Sequence, residues 1–190
     1  MKKNKISKNW LNKHRKDTFV RRSKIDGYRA RSAYKLIEIN EKFKVFKSKM
    51  CVVDLGASPG SWSQYVSKIV KSGKIISVDL KDMKEIKNTI QIKGDFTNNE
   101  IKEKIKNCIE KRSDVVMSDM AVNTTGIKDL DSIQTGELCK DAMTFSKEII
   151  SSNGFFISKI FMGVTFNEIV ALGKKIFSEV KVFKPISSRK

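Results

Sequence analysis

A chain of 190 residues with 39 Lys and Arg against 21 Asp and Glu carries a net charge of +18, and is long enough for one domain with a real core. So large a cationic surplus points to a polyanionic partner, whose displaced counterions favour binding, and argues against an enzyme acting only on small acidic metabolites. No apolar run approaches the ~20 residues of a membrane-spanning helix. The N-terminus lacks the apolar stretch of a secretory signal. Three scattered cysteines and a lone histidine, His14, supply neither a metal-ligand spacing nor a disulfide framework, so no metal is expected and a reducing cytoplasm is the default.

Residues 1–24 hold ten Lys or Arg and a single acid, Asp17, with little apolar periodicity. They read either as a solvated tail or as a basic arm that contacts RNA and orders on binding, and the global charge favours the arm. Residues 25–190 then form one domain. From Ala30 to Phe43, Ala33, Leu36, Ile37 and Phe43 recur at helical spacing. Strand-like runs follow at Met50–Leu55, Lys74–Leu80, Thr89–Lys93, Val115–Ser118, Phe155–Phe161 and Val180–Phe183, with helical patterns between them at Ser61–Lys71, Asn99–Lys111, Ser132–Ser152 and Thr165–Phe177. Alternating elements with continuous Val/Ile-rich strands predict an α/β fold, a mostly parallel sheet covered by helices on both faces. Right-handed crossovers make it doubly wound and Rossmann-like. No apolar stripe demands a partner subunit, so a monomer is expected.

The chemistry gathers at strand ends. Val52-Val53-Asp54-Leu55-Gly56-Ala57-Ser58-Pro59-Gly60-Ser61-Trp62 is an apolar strand ending in an acid, then a Gly/Pro/Ser turn, then a helix. Glycines there let the backbone approach a ligand. The turn fits neither G-x-G-x-x-G nor a P-loop, which suits a nucleoside cofactor without phosphate. Strand two ends at Asp79, placed to accept hydrogen bonds from ribose hydroxyls. Strand three is followed by Asp95 and Phe96, an acid and a ring placed for an adenine edge and face. Each has a plainer reading, a helix-capping acid or a core ring. In series at successive strand ends they suggest S-adenosylmethionine. Strand four leads into Asp119 beside that site. Strand five carries Lys159 inside a hydrophobic run. A buried lysine needs a partner, so Lys159 is either an ion-paired strand-end cation or a general base whose pKa burial and a second ammonium lower.

Asp54-Leu55-Gly56-Ala57-x-Pro59-Gly60-x-Trp62-Ser63-Gln64, Gly94-Asp95-Phe96, Ser118-Asp119-Met120-Ala121, Lys159-x-Phe161-x-Gly163 and Arg31-Ser32-Ala33-Tyr34-Lys35-Leu36 together resemble the FtsJ-type RNA ribose 2'-O-methyltransferases, over about residues 21–190. The resemblance implies an S-adenosylmethionine-dependent methyltransferase domain over 25–190. It implies Lys35, Asp119 and Lys159 as three members of a Lys-Asp-Lys-Glu tetrad, with Lys159 taking the proton of the ribose 2'-hydroxyl. Cofactor contacts are implied at Gly56, Gly60, Trp62, Asp79, Asp95, Phe96 and Asp119. The expected substrate is a ribose, a uridine's, in 23S ribosomal RNA of the assembled large (50S) subunit. The alternatives are a tRNA ribose, or a non-catalytic RNA-binding assembly factor.

Ser58, Ser61 and Val122 depart from the family's usual residues, and Val122 is expected to loosen the loop beside the target nucleotide. The sequence stops after Lys184-Pro185-Ile186-Ser187-Ser188-Arg189-Lys190, where the family continues into an antiparallel strand bearing the fourth tetrad member. That last strand is expected to be missing, the sequence to be C-terminally incomplete or the sheet weakened at that edge, and Val180–Phe183 to lack a neighbour.

Overall fold

The computed structural model describes residues 17–121 and 125–189, without the side chain of Lys128. His14, most of the basic arm and the loop holding Val122 lie outside the described residues.

The elements run α1 (Thr18–Ile25), α2 (Ala33–Phe43), β1 (Cys51–Leu55), α3 (Ser61–Ser67), β2 (Lys74–Asp79), β3 (Thr89–Lys93), α4 (Asn99–Cys108), β4 (Ser113–Ser118), α5 (Lys128–Ile149), β5 (Ile150–Ser158) and α6 (Phe166–Ile176). The five strands form one sheet in the order β3-β2-β1-β4-β5, and every pairing is parallel. Parallel strands need crossovers, and helices supply them, which is why the strands are nearly continuous in Val and Ile.

Alternation along the strands divides the interior into two layers. Val53, Leu55, Ile76, Val78 and Val116 point to the side covered by α4 and α5, where Ile101, Ile105, Phe145 and Ile149 meet them. Val52, Ile75, Val115 and Met117 point to the other side, against Leu36 of α2 and Trp62 and Val66 of α3. The chain winds outward from β1 to β3 and then, from β4, outward the other way. The order therefore reverses between β1 and β4, and at such a switch point the strand ends part to leave a crevice.

Several element boundaries differ from the sequence expectation. Thr18–Ile25, all but its last residue within the arm in which little apolar periodicity is visible, is helical: the Asp17 carboxylate caps it by accepting the amides of Phe19 (3.0 Å) and Val20 (3.3 Å). Its ring contact, Phe19 against Tyr34 at 5.4 Å, ties it to α2. The fifth strand begins at Ile150 and ends at Ser158, so Lys159 lies just past it. The Val180–Phe183 strand does not form. Phe183 instead sets its ring edge-on to Phe43 at 5.7 Å, with the Lys42 ammonium 4.5 Å above it. With no strand of the sheet beside it, that segment packs on the end of α2. Among the described residues β5 pairs on one side only, and no antiparallel strand joins the sheet.

Candidate active site

Beyond β1 the chain must turn sharply to enter α3, and the turn is held from β2. The amides of Gly56 and Ala57 donate to the Val78 carbonyl at 2.9 and 3.0 Å. Gly56 and Gly60 adopt φ of 72° and 96°, a region that favours glycine. A Cβ on Gly60 would stand 2.7 Å from Arg29 Nη1 and 2.8 Å from Ile86 Cδ1. Asp79 closes the arrangement: one oxygen accepts the Ser58 amide at 2.9 Å and the other the Lys81 amide at 2.8 Å. The Gly94 amide donates to the Asp79 carbonyl at 2.9 Å, bringing the end of β3 into line, and Asp95 folds back to accept from the Thr97 amide and hydroxyl.

Under the turn lies Asp54, fully buried. One carboxylate oxygen accepts from Ser63 Oγ at 2.5 Å, and Ser63 Oγ in turn lies 2.6 Å from Ser77 Oγ. The other oxygen has no hydrogen-bond partner. Burial raises this carboxyl to about 7, with Asp119 and Asp79 pushing the same way and the Ser63 hydrogen bonds opposing.

Past β4 and β5 the crevice becomes cationic and acidic together. Lys159 is registered by its own amide, which donates to the Ser118 carbonyl at 2.9 Å. Its Nζ donates to the Asp119 carbonyl at 2.7 Å and stands 3.0 Å from Asp119 Oδ1. Lys35, reaching in from α2, places its Nζ 3.8 Å from the same Oδ1. That oxygen has no aligned hydrogen bond, so it is held between two amines by charge. The three side chains are 22 %, 19 % and 17 % exposed for Lys35, Lys159 and Asp119. Burial lowers the Lys35 pKa below the usual lysine value, and Lys159, Arg31 and Arg189 lower it further against the pull of Asp119.

The position of α2 is itself specified. Trp62 Nε1 donates to the Ser32 carbonyl at 2.9 Å, and Ser32 Oγ lies 2.6 Å from Ser61 Oγ. These bonds dock the start of α2 on the start of α3, so that Lys35, one turn in, overlooks the strand ends.

Of the residues singled out in the sequence, Gly56, Gly60, Asp79 and Asp95 line one half of this rim, and Lys35, Asp119 and Lys159 meet in the other half. Two side chains are engaged elsewhere. Phe96 is only 5 % exposed and its ring belongs to the core with Ile101 and Ile105, so it has no free face for an adenine. Trp62 is buried in the other core layer. Sequence reasoning missed Arg29, whose guanidinium donates to the carbonyls of Pro59 (3.1 Å), Lys84 (2.8 Å) and Glu85 (2.8 Å). It ties the glycine turn to the segment after β2. The available signal was the need of turn carbonyls for donors.

Residues 28–190 match the sequence model of the FtsJ-like methyltransferase family. The chain is 69 % identical over 190 residues, all of this chain and 94 % of the relative, to the ribosomal RNA large subunit methyltransferase E of Pelagibacter ubique (strain HTCC1062). It is 45 % identical to the protein of the same name from Rickettsia bellii (strain RML369-C), over 97 % of this chain and 84 % of that one. A Plasmodium falciparum chain described as a ribosomal RNA methyltransferase superposes with a TM-score of 0.77 at 32 % identity, covering 83 % of this chain and 91 % of its own.

Proposed function

Because the chain belongs to the FtsJ-like methyltransferase family, we propose that it transfers a methyl group from S-adenosylmethionine to a ribose 2'-hydroxyl in large-subunit ribosomal RNA. The target is a uridine, methylated in the assembled subunit by a cytoplasmic monomer. The observation that carries the reading is the convergence of Lys35 and Lys159 on one oxygen of Asp119, beside a glycine turn latched by a strand-end acid.

The residues present fit a nucleoside cofactor. Each oxygen of Asp79 accepts one backbone amide, and a carboxylate oxygen has two lone pairs. Two acceptor positions therefore remain for the hydroxyls of a ribose. Gly56 and Gly60 supply the turn, and Asp95 keeps one oxygen outside its bonds to Thr97. When bound, the cofactor supplies an electrophilic methyl on a sulfonium.

An alcohol is a poor nucleophile until its proton has somewhere to go. An ammonium cannot accept it, so one amine of the pair must be neutral when the hydroxyl arrives. Two cations sharing one carboxylate disfavour double protonation, and Lys35 is the member that burial pushes toward neutrality. Lys159 Nζ, 2.7 Å from the Asp119 carbonyl oxygen and 3.0 Å from Oδ1, is fixed at the same carboxylate, so the single proton the pair retains can rest on Lys35 and leave Lys159 the free amine. The proton of the 2'-hydroxyl passes to the amine pair, Lys159 being the acceptor that the family resemblance implies, while Asp119 balances the charge. Much of the remaining rate comes from holding hydroxyl and methyl in line. The +18 net charge holds the phosphate backbone without reading sequence.

The test is incubation with methyl-labelled S-adenosylmethionine and purified large subunits, or tRNA, followed by nucleoside digestion and mass spectrometry. Label in a 2'-O-methyluridine of the large-subunit RNA is expected. Label on a base, or in tRNA only, overturns the assignment.

A further inference from the structure

Lys35 and Glu38 lie one helical turn apart on α2, and Arg31 sits in the turn two residues before that helix begins. Lys35 belongs to the amine pair; the residues on either side of it hold a different part of the chain. Both oxygens of Glu38 accept backbone amides, that of Ile186 at 2.6 Å and that of Ser187 at 3.0 Å. Arg31 donates to the Ser187 carbonyl and to Asp17 Oδ2, and Arg189 Nε approaches the same Asp17 oxygen at 3.6 Å. Pro185 and Ser187 are buried, whereas the Ile186 side chain is 88 % exposed. The segment is thus gripped through its backbone.

We infer that Arg31 and Glu38 are positioning residues of the active site, clamping the 185–189 segment across α2 so that the Lys35 amine is held dry beside Asp119. The inference rests on the ribose-methylation reading, since it gives the clamp a part in that reaction. The charged groups that act on Lys35 are Asp119 beyond β4, Lys159 beyond β5, Arg31 in the turn before α2 and Arg189 on the clamped segment. Lifting the segment admits water and withdraws the Arg189 guanidinium. Both changes favour the ammonium, so a neutral amine would then require a more alkaline medium. A clamp that merely stabilised the fold would alter melting and leave this titration where it was.

The experiment uses the full chain and two variants. Glu38→Ala removes both acceptors. Ile186→Pro removes one amide donor while replacing a side chain already exposed to solvent, so it decides the matter if Glu38→Ala does not fold. The first readout is the pH dependence of Lys35 acetylation, followed by peptide mass spectrometry, which needs no enzymatic activity. The second is the acid limb of single-turnover methyl transfer. We expect the Lys35 midpoint to rise by about one pH unit, a tenfold change in proton affinity, the acid limb to move the same way, and cofactor affinity to change less than about twofold. A Lys35 midpoint identical to that of the parent chain in the folded variants overturns the clamp. If the midpoint moves but the parent chain transfers no methyl, the clamp stands as a structural device and the ribose-methylation reading fails.

Discussion

Lys35 and Lys159 approach one oxygen of Asp119, at 3.8 and 3.0 Å, from opposite ends of the fold. One comes from a helix that precedes the sheet, the other from the end of its last strand. Two partly buried cations that share one anion cannot both be fully neutralised. The arrangement therefore strains toward releasing a proton, and that makes it chemistry rather than scaffolding.

That tension should be measurable as stability. Lys35→Met is expected to stabilise the folded chain by roughly 1–2 kcal/mol near neutral pH while slowing transfer by roughly 10²-fold or more. The folded Lys35 pKa is lowered, so between that lowered value and the ordinary lysine value the unfolded chain binds a proton that the folded chain has released. Parental stability must rise with pH across this window. The gain from Lys35→Met should shrink accordingly, which chemical denaturation at stepped pH will show.

The buried Asp54 gives the opposite sign. Its carboxyl is raised to about 7 from 3.8, so the folded chain holds a proton that the unfolded chain lacks, and stability falls as pH rises through that range. Asp54→Asn keeps an acceptor for Ser63 and cannot ionise. It should match the parent near pH 4 and exceed it progressively toward pH 7, reaching a plateau of roughly 4 kcal/mol at most. Melting temperatures of the two chains across this range check it.

Asp79→Ala removes both a ribose acceptor and the latch on the Ser58 and Lys81 amides. Cofactor affinity should fall roughly 10- to 100-fold, with turnover at saturating cofactor nearly retained. Calorimetric titration with S-adenosylmethionine, paired with saturation kinetics, separates the two effects.

Deleting residues 1–16, which removes basic residues but leaves α1 and its Asp17 cap, should weaken RNA binding and flatten its salt dependence. Each lost phosphate contact takes about 0.7–0.9 from the log–log slope. Cofactor affinity should be unchanged. Filter binding at several salt concentrations supplies the slope.

The sheet was readable wherever hydrophobicity alone decides structure. Thr89–Lys93 is a strand over the expected residues, and the buried runs of β1, β2 and β4 announce themselves in Val and Ile. Asp79, Asp119 and Lys159 were legible because a charged group at the end of such a run loses solvation unless a partner or a ligand meets it. The failures share a different cause. Val180–Phe183 has the composition of a strand, but a strand exists only with a neighbour, and the ring of Phe43 was a better one. Helix α1 has only eight residues, with Val20 buried, and is held by one capping carboxylate and a ring contact with α2. Phe96 and Trp62 sit beside the right motifs, but their side chains face the core, and sequence position does not reveal side-chain direction. Arg29 and Glu38 act on backbone groups far along the chain, which no local pattern encodes.

The central claim is that the two lysines act as one unit, and a double-mutant cycle tests it. Single-turnover rates would be measured on large subunits for the parent chain, Lys35→Ala, Lys159→Ala and the double variant. Each single change is expected to slow transfer by roughly 10²- to 10⁴-fold, with the double variant little slower than the worse single one. Single effects that multiply in the double variant, or a Lys159→Ala rate close to the parent's, would contradict the account.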